Sequence, residues 1–131
     1  VRTGNFQLFV TDIKGNEVRQ LTELEEVNWT PAWSPDGDRI AFSSNSTGNY
    51  EIFVIDPNGN NLEQLTDNPS TDTMPIWSPD GNRIAFASDR SGTMSVHVMD
   101  ANGENEESLG WTGLPTDWST PKRTLDFFNP K

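Results

Sequence analysis

Apolar residues in this chain come in short dense runs separated by turn-forming residues. Residues 40–42 read Ile-Ala-Phe and residues 52–55 read Ile-Phe-Val-Ile, apolar at every position rather than at alternate ones. Such runs predict short β-strands covered on both faces. Ten glycines and nine prolines punctuate the chain so often that the longest stretch free of both is residues 16–30. Val18, Leu21, Leu24 and Val27 in that stretch have a spacing that would suit a helix. The internal repeat argues for strands there instead.

Shifting the sequence by 44 residues lays residues 31–48 on residues 75–92 with 12 of 18 identities, sharing Trp-Ser-Pro-Asp-Gly-x-Arg-Ile-Ala-Phe. The same shift lays residues 4–22 on 48–66 with 10 of 19 identities, and 48–66 on 92–110 with 8 of 19. Toward the end the pattern decays. Trp118-Ser119 and Leu125-Asp126-Phe127 match Trp77-Ser78 and Ile84-Ala85-Phe86 at a shift of 41, with Thr120-Pro121-Lys122 in place of the Pro-Asp-Gly turn. A period of about 40–45 residues holding several strand-like runs is the signature of a propeller blade.

The turns place the strands within a unit. Ser34-Pro35-Asp36-Gly37 and Ser78-Pro79-Asp80-Gly81 put Pro where a type I turn needs φ near −65° and Gly where the chain turns left-handed, so each predicts a tight hairpin. Lys14-Gly15, Asn58-Gly59 and Asn102-Gly103 predict a second hairpin, with positive φ expected at both central residues. Four strands per unit follow: around Trp77, then residues 83–88, 95–100 and 106–109. The predicted fold class is all-β, a β-propeller of four-stranded antiparallel blades with three blades' worth per chain.

The unit Leu65-Thr66-Asp67, Pro75-x-Trp77-Ser78-Pro79-Asp80-Gly81-x-Arg83-Ile84-Ala85-Phe86, Ser88-Asp89-Arg90-x-Gly92 and Val98-x-Asp100-x-x-Gly103 resembles the WD40-like PD40 repeat of TolB-type β-propellers. The resemblance covers nearly the whole chain and implies a propeller, usually of six to eight blades, used for protein docking or fused to a hydrolase domain. It implies no single activity. It also implies an extracytoplasmic setting, whether periplasmic, secreted or cell-surface. TolB-type proteins carry a further N-terminal domain and propeller peptidases an α/β-hydrolase domain, and 131 residues filled by repeats hold neither. A Gly-x-Ser-x-Gly elbow is missing from the sequence. The several histidines used by PD40 metal lyases cannot be matched by His97 alone.

Composition narrows the partners. Nine Lys and Arg against 20 Asp and Glu leave a net charge of −11. That disfavours nucleic acid and anionic lipid, both of which need a basic footprint. No run approaches the roughly 18 apolar residues of a membrane span. Zero cysteines and one histidine exclude disulfides, thiolate metal sites and multi-histidine clusters. Other protein partners remain open.

The phase of the repeat bears on assembly. Residues 1–27 hold third and fourth strands (6–12 and 18–22), 28–71 and 72–115 hold full blades, and 116–131 hold first and second strands. Twelve strands make three blades' worth, one of them split between the chain's ends, and this cannot close a ring of the usual four to eight. Unpaired half-blades would also leave open edges. The expectation is a homo-oligomer in which end strands pair between subunits, as a six-bladed dimer or an open filament. Phe6, Leu8, Val10, Leu125 and Phe127 carry that pairing; a propeller fragment of a larger exported hydrolase or lyase, or a TolB-type docking domain, is the alternative.

No catalytic or cofactor-binding residue is expected. The Asp-x-x-Gly loops at Asp12, Asp56 and Asp100 resemble parts of a calcium loop, but at the bidentate position they offer Glu23, Asp67 and Trp111. Asx turns are the simpler reading, with calcium the one metal left open. His97 occupies the position of Phe9 and Phe53 and is expected to pack on a blade face. Trp33 and Trp77 recur and read as blade core, and Asp36/Arg39 and Asp80/Arg83 as a repeated turn-and-strand clamp. Trp29 and Trp111 do not recur, which makes them candidate interface anchors. Asn28 and Asn45 sit in N-glycosylation sequons.

Overall fold

The structure, a computed structural model, describes residues 9–11, 18–20, 28–113 and 115. Every regular element among them is a strand: β1 (Phe9–Thr11), β2 (Val18–Gln20), β3 (Asn28–Trp33), β4 (Ile40–Ser44), β5 (Glu51–Ile55), β6 (Glu63–Gln64), β7 (Asp72–Trp77), β8 (Arg83–Ser88), β9 (Ser95–Asp100) and β10 (Glu107–Thr112). The short β1 and β2 form an antiparallel pair. Strands β3-β4-β5-β6 and β7-β8-β9-β10 form two four-stranded antiparallel sheets in which each strand lies beside its predecessor. This is the meander that two tight hairpins per unit dictate.

Alternation assigns the two faces. Ala41, Ile52 and Val54 from β4 and β5 meet Ile84, Phe86 and Met99 from β8 and β9 in one buried cluster between the sheets, with Leu65 and Trp77 packed at its margin. The opposite face of β4 and β5 buries Ile40, Phe42, Phe53 and Ile55. Ala85, Val96 and Val98 do the same on the second sheet, joined by Ile76, Leu109 and Trp111. Both central strands of each sheet are therefore covered on both faces, as their unbroken apolar runs require. The fourth strands carry mostly exposed residues.

The first hairpin of each unit is as expected. Gly37 and Gly81 donate to the carbonyls of Ser34 and Ser78 at 2.9 Å and take φ of 77° and 76°. The second hairpin differs. Gly59 and Gly103 have φ of 90°, whereas Asn58 and Asn102 do not turn left-handed. Gly59 N–H bonds the Asp56 carbonyl at 2.9 Å and Gly103 N–H the Asp100 carbonyl at 2.8 Å, so the central pair of each turn is one residue earlier than expected, Pro57-Asn58 and Ala101-Asn102, and the glycine follows it. Asn61 and Asn105 are left-handed instead.

Two further features recur with the repeat. Ladder register shifts between Trp29 and Ala32 and between Thr73 and Ile76. Thr30 and Met74 there take φ of 52° and 57°, directly before Pro31 and Pro75. Proline cannot donate to a ladder, so a bulge is where it is tolerated inside a strand. Strand β10 begins at Glu107 and runs through Trp111 to Thr112 rather than ending at Leu109. A register shift spanning Gly110, φ 76°, lets it continue.

Candidate functional site

At one end of the sheets the Ser-Pro-Asp-Gly turns and the Asp-x-Asn-Gly turns lie side by side. The Ser34 hydroxyl donates to Asp36 Oδ1 at 2.7 Å, the Asp38 amide adds 2.9 Å to the same oxygen, and the Arg39 amide donates back to Ser34 Oγ at 3.0 Å. Ser78, Asp80, Asn82 and Arg83 repeat this set at 2.7, 2.9 and 3.0 Å. These donors hold the Asp36 and Asp80 carboxyls below the usual carboxylate value, the backbone amide contributing most.

The guanidinium groups go elsewhere than the recurrence suggested. Arg39 reaches across the sheet to Asp56 at 2.9 Å and to Glu63 at 3.7 Å, not to Asp36. Arg83 likewise faces Asp100 and Glu107, each at 3.7 Å. Asn61 and Asn105 donate to the second oxygens of Asp56 and Asp100 at 2.6 and 2.7 Å. The aspartates that resembled calcium ligands are thus engaged by arginine and asparagine. Between the paired turns lie open polar clefts of about 560 Å³, lined by Asp80, Arg83 and Asp100 among others, and about 460 Å³, lined by Asp38, Arg39 and Asp56. Among the described residues no three His, Cys, Asp or Glu side chains converge as a metal site.

A second polar cluster sits at the other end and does not recur among the described residues. Buried Glu51 accepts from Thr66 Oγ1 at 2.6 Å, the Asn68 amide at 3.0 Å and Asn49 Nδ2 at 2.9 Å. Burial nonetheless raises its carboxyl above the ordinary value. Buried Asp72 Oδ2 accepts from Asn68 at 2.7 Å and pairs with Arg90 at 3.0 Å, and Arg90 also pairs with Glu106. Arg90 lies over the Phe86 ring at 5.8 Å. The repeat puts Ser46, Asn28 and Ser95 at the positions of Arg90, Asp72 and Glu51. Those departures from the period were the signal that could have located this cluster from sequence.

His97 packs as a blade residue. It stacks on Phe86 at 5.7 Å just as Phe53 stacks on Phe42 at 5.8 Å, and it lies 3.3 Å from Ser95 Oγ. Burial, reinforced by Arg90, holds its imidazole below the usual value.

The two recurring tryptophans part company. Trp77 packs on the cluster between the sheets, and its Nε1 donates to the Ala32 carbonyl of the first sheet at 2.9 Å. Trp33, at the same repeat position, is 51% exposed, and Phe9 is 57% exposed. Trp33 is therefore not blade core in this structure, because a neighbouring sheet covers Trp77 and leaves Trp33 open. Trp111 packs beside Ala85, Val96 and Val98. Trp29 lies in β3 opposite Ser43, its side chain outside the described residues. Val10 pairs with Arg19 in the β1–β2 ladder. Phe6, Leu8, Leu125 and Phe127 lie outside the described residues.

Two successive four-stranded meanders, stacked face to face through Trp77 and a mainly apolar seam, define a β-propeller domain. The family model described as the TolB beta propeller domain, PD40, matches residues 1–127. The chain belongs to that family. A Protein TolB homolog of Chlorobaculum tepidum is 45% identical over 42 residues, 32% of this chain and 10% of the relative. Dipeptidyl-peptidase 5 of Porphyromonas gingivalis is 44% identical over 39 residues, 30% of this chain and 6% of the relative. A solved TolB structure from Agrobacterium tumefaciens superposes with a TM-score of 0.75 at 31% identity, over 82% of this chain and 42% of that one. The chain thus spans less than half the length of each of these proteins.

Proposed function

We propose that the chain is a non-catalytic propeller module that serves protein–protein interaction outside the cytoplasm and assembles by sharing strands between its own copies. The observation that carries the non-catalytic reading is the use made of its reactive side chains. His97 is stacked on Phe86, and Arg39 and Arg83 are paired with Asp56 and Asp100. A general acid or base needs reach to a substrate proton, and His97 is buried on the Phe86 ring. The TolB likeness supports protein docking and an extracytoplasmic setting. Pairing of Phe6, Leu8 and Val10 with Leu125 and Phe127 between subunits would complete the split blade, with Trp29 and Trp111 near the joint. Solution mass by light scattering tests this: the expected value is twice 14.6 kDa or a polydisperse multiple. A monodisperse monomer overturns it.

A second reading is favoured by the match to a dipeptidyl-peptidase and by the partial coverage of every relative. Here the chain is the propeller part of a larger hydrolase or lyase whose catalytic groups lie on other sequence. The mass of the native polypeptide separates the two, a much longer chain favouring the enzyme.

A further inference from the structure

We propose that Asn58 and Asn102 are sites of spontaneous deamidation, each turning into isoaspartate or aspartate at the polar cleft it lines. They are the two asparagines of the sequence that a glycine follows. Glycine has no Cβ to shield its backbone nitrogen, so that nitrogen can reach the side chain before it. Both asparagines are exposed, and each carboxamide is already turned onto the backbone ahead of it. Asn58 Oδ1 accepts the Asn60 amide at 2.9 Å, and Asn102 Oδ1 the Glu104 amide at 3.0 Å. These N–H groups polarise the Cγ carbonyl and face the oxygen on which negative charge builds when Cγ is attacked.

The reaction needs only water. The Gly59 nitrogen gives up its proton and bonds to Asn58 Cγ, the Cγ–Nδ2 bond breaks, and ammonia leaves with the proton, closing a five-membered imide. Water then opens the imide at either carbonyl, giving aspartate or, where the chain now runs through the side chain, isoaspartate. Gly103 and Asn102 react in the same way. The bonds from Gly59 to Asp56 and from Gly103 to Asp100, at 2.9 and 2.8 Å, must open first, so the folded loops react more slowly than the unfolded chain.

The first hairpins supply an internal contrast. Asp36 and Asp80 also precede glycine and also accept the amide two residues on, but a carboxylate is a poor electrophile. The Ser34 and Ser78 hydroxyls, together with those amides, keep both ionised. Position 102 also bears on the seam. A Cβ on Gly103 would lie 3.0 Å from the Leu65 carbonyl oxygen, and Leu65 packs at the margin of the cluster between the sheets. The extra backbone carbon of isoaspartate enters a loop closed by the 2.8 Å bond from Asp100 to Glu104, with no room on that side.

Incubating the folded chain in mildly alkaline buffer tests the assignment, with isoaspartate read by enzymatic methylation and located by peptide mass spectrometry. It is expected at positions 58 and 102, at least about tenfold ahead of positions 36 and 80, because hardly any aspartate is protonated there. Asn58→Gln and Asn102→Gln are each expected to lose the signal at their own position alone. A folded chain that stays unmodified at either asparagine overturns the proposal for that residue, and equal conversion at Asp36 and Asp80 overturns the chemistry. Anion exchange separates the aged chains, since each event adds one negative charge to the net −11. The form with isoaspartate at position 102 is expected to unfold at lower urea than Asn102→Asp, and equal midpoints overturn the link to the seam.

Discussion

Replacing Trp77 by alanine tests the contact between the sheets at its most informative point. The indole is partly buried against Ala41, Ile52, Val54, Ile84, Phe86 and Met99, and its Nε1 holds the Ala32 carbonyl at 2.9 Å. Taking ~130 Å² of apolar indole surface at ~25 cal/mol per Å², truncation loses about 3 kcal/mol. The broken hydrogen bond adds about 1 kcal/mol. The expected loss is thus about 4 kcal/mol, in the range of aromatic truncations in packed cores. Trp77→Phe keeps the ring contact but not the donor and should lose about half as much. Trp111→Ala, at the edge of the third cluster on the mostly exposed β10, should also lose less than half. Urea unfolding followed by far-ultraviolet circular dichroism, at one protein concentration, measures all three. A Trp77→Ala loss below about 1.5 kcal/mol, or one equal to that of Trp111→Ala, would refute the assignment of this seam as the main joint.

His97→Phe copies Phe53 and should raise the melting temperature. Because burial depresses the imidazole below 6.5, the wild type loses stability as pH falls through 6.5, so the advantage should grow in acid; a pH-independent gap refutes this. Glu51 has the opposite sign. Its carboxyl is raised above 4.5, so stability falls as pH climbs from about 4.5 through the folded-state value, and Glu51→Gln should gain on the wild type between pH 4 and 7 in thermal melts. A gap that stays level or narrows would sink that account. Calcium or a chelator should leave the melting temperature unchanged, since Asp56 and Asp100 are engaged by Arg39 and Arg83, whereas saturation to a hundred times the dissociation constant would add about 2.7 kcal/mol.

The Trp-Ser-Pro-Asp-Gly repeat made the architecture legible, because each hairpin is specified locally by Pro and Gly and each central strand by its unbroken apolar run. It also placed His97 correctly, through the phenylalanines at the same position. What the repeat could not convey is whatever depends on a neighbour. Trp33 and Trp77 have the same local sequence and differ only in whether a sheet lies against them. Arg39 pairs with Asp56 through strand register, not with the nearer Asp36. The second polar cluster draws Glu51 from β5, Asp72 from β7 and Arg90 from the β8–β9 connection, and each of these three breaks the period. Of the helically spaced Val18, Leu21, Leu24 and Val27, Val18 lies in β2 and the other three lie outside the described residues.

The seam between the sheets is a nearest-neighbour bond, and such bonds can be counted. A row of n blades has n − 1 of them, while a ring of the same blades has n. Closure therefore adds one full seam with no extra chain to order, and it removes the two end blades from which a row would fray. Where every seam is built like the one between the two described sheets, on a tryptophan and six buried apolar side chains, the difference is between opening one blade at a time and opening all at once.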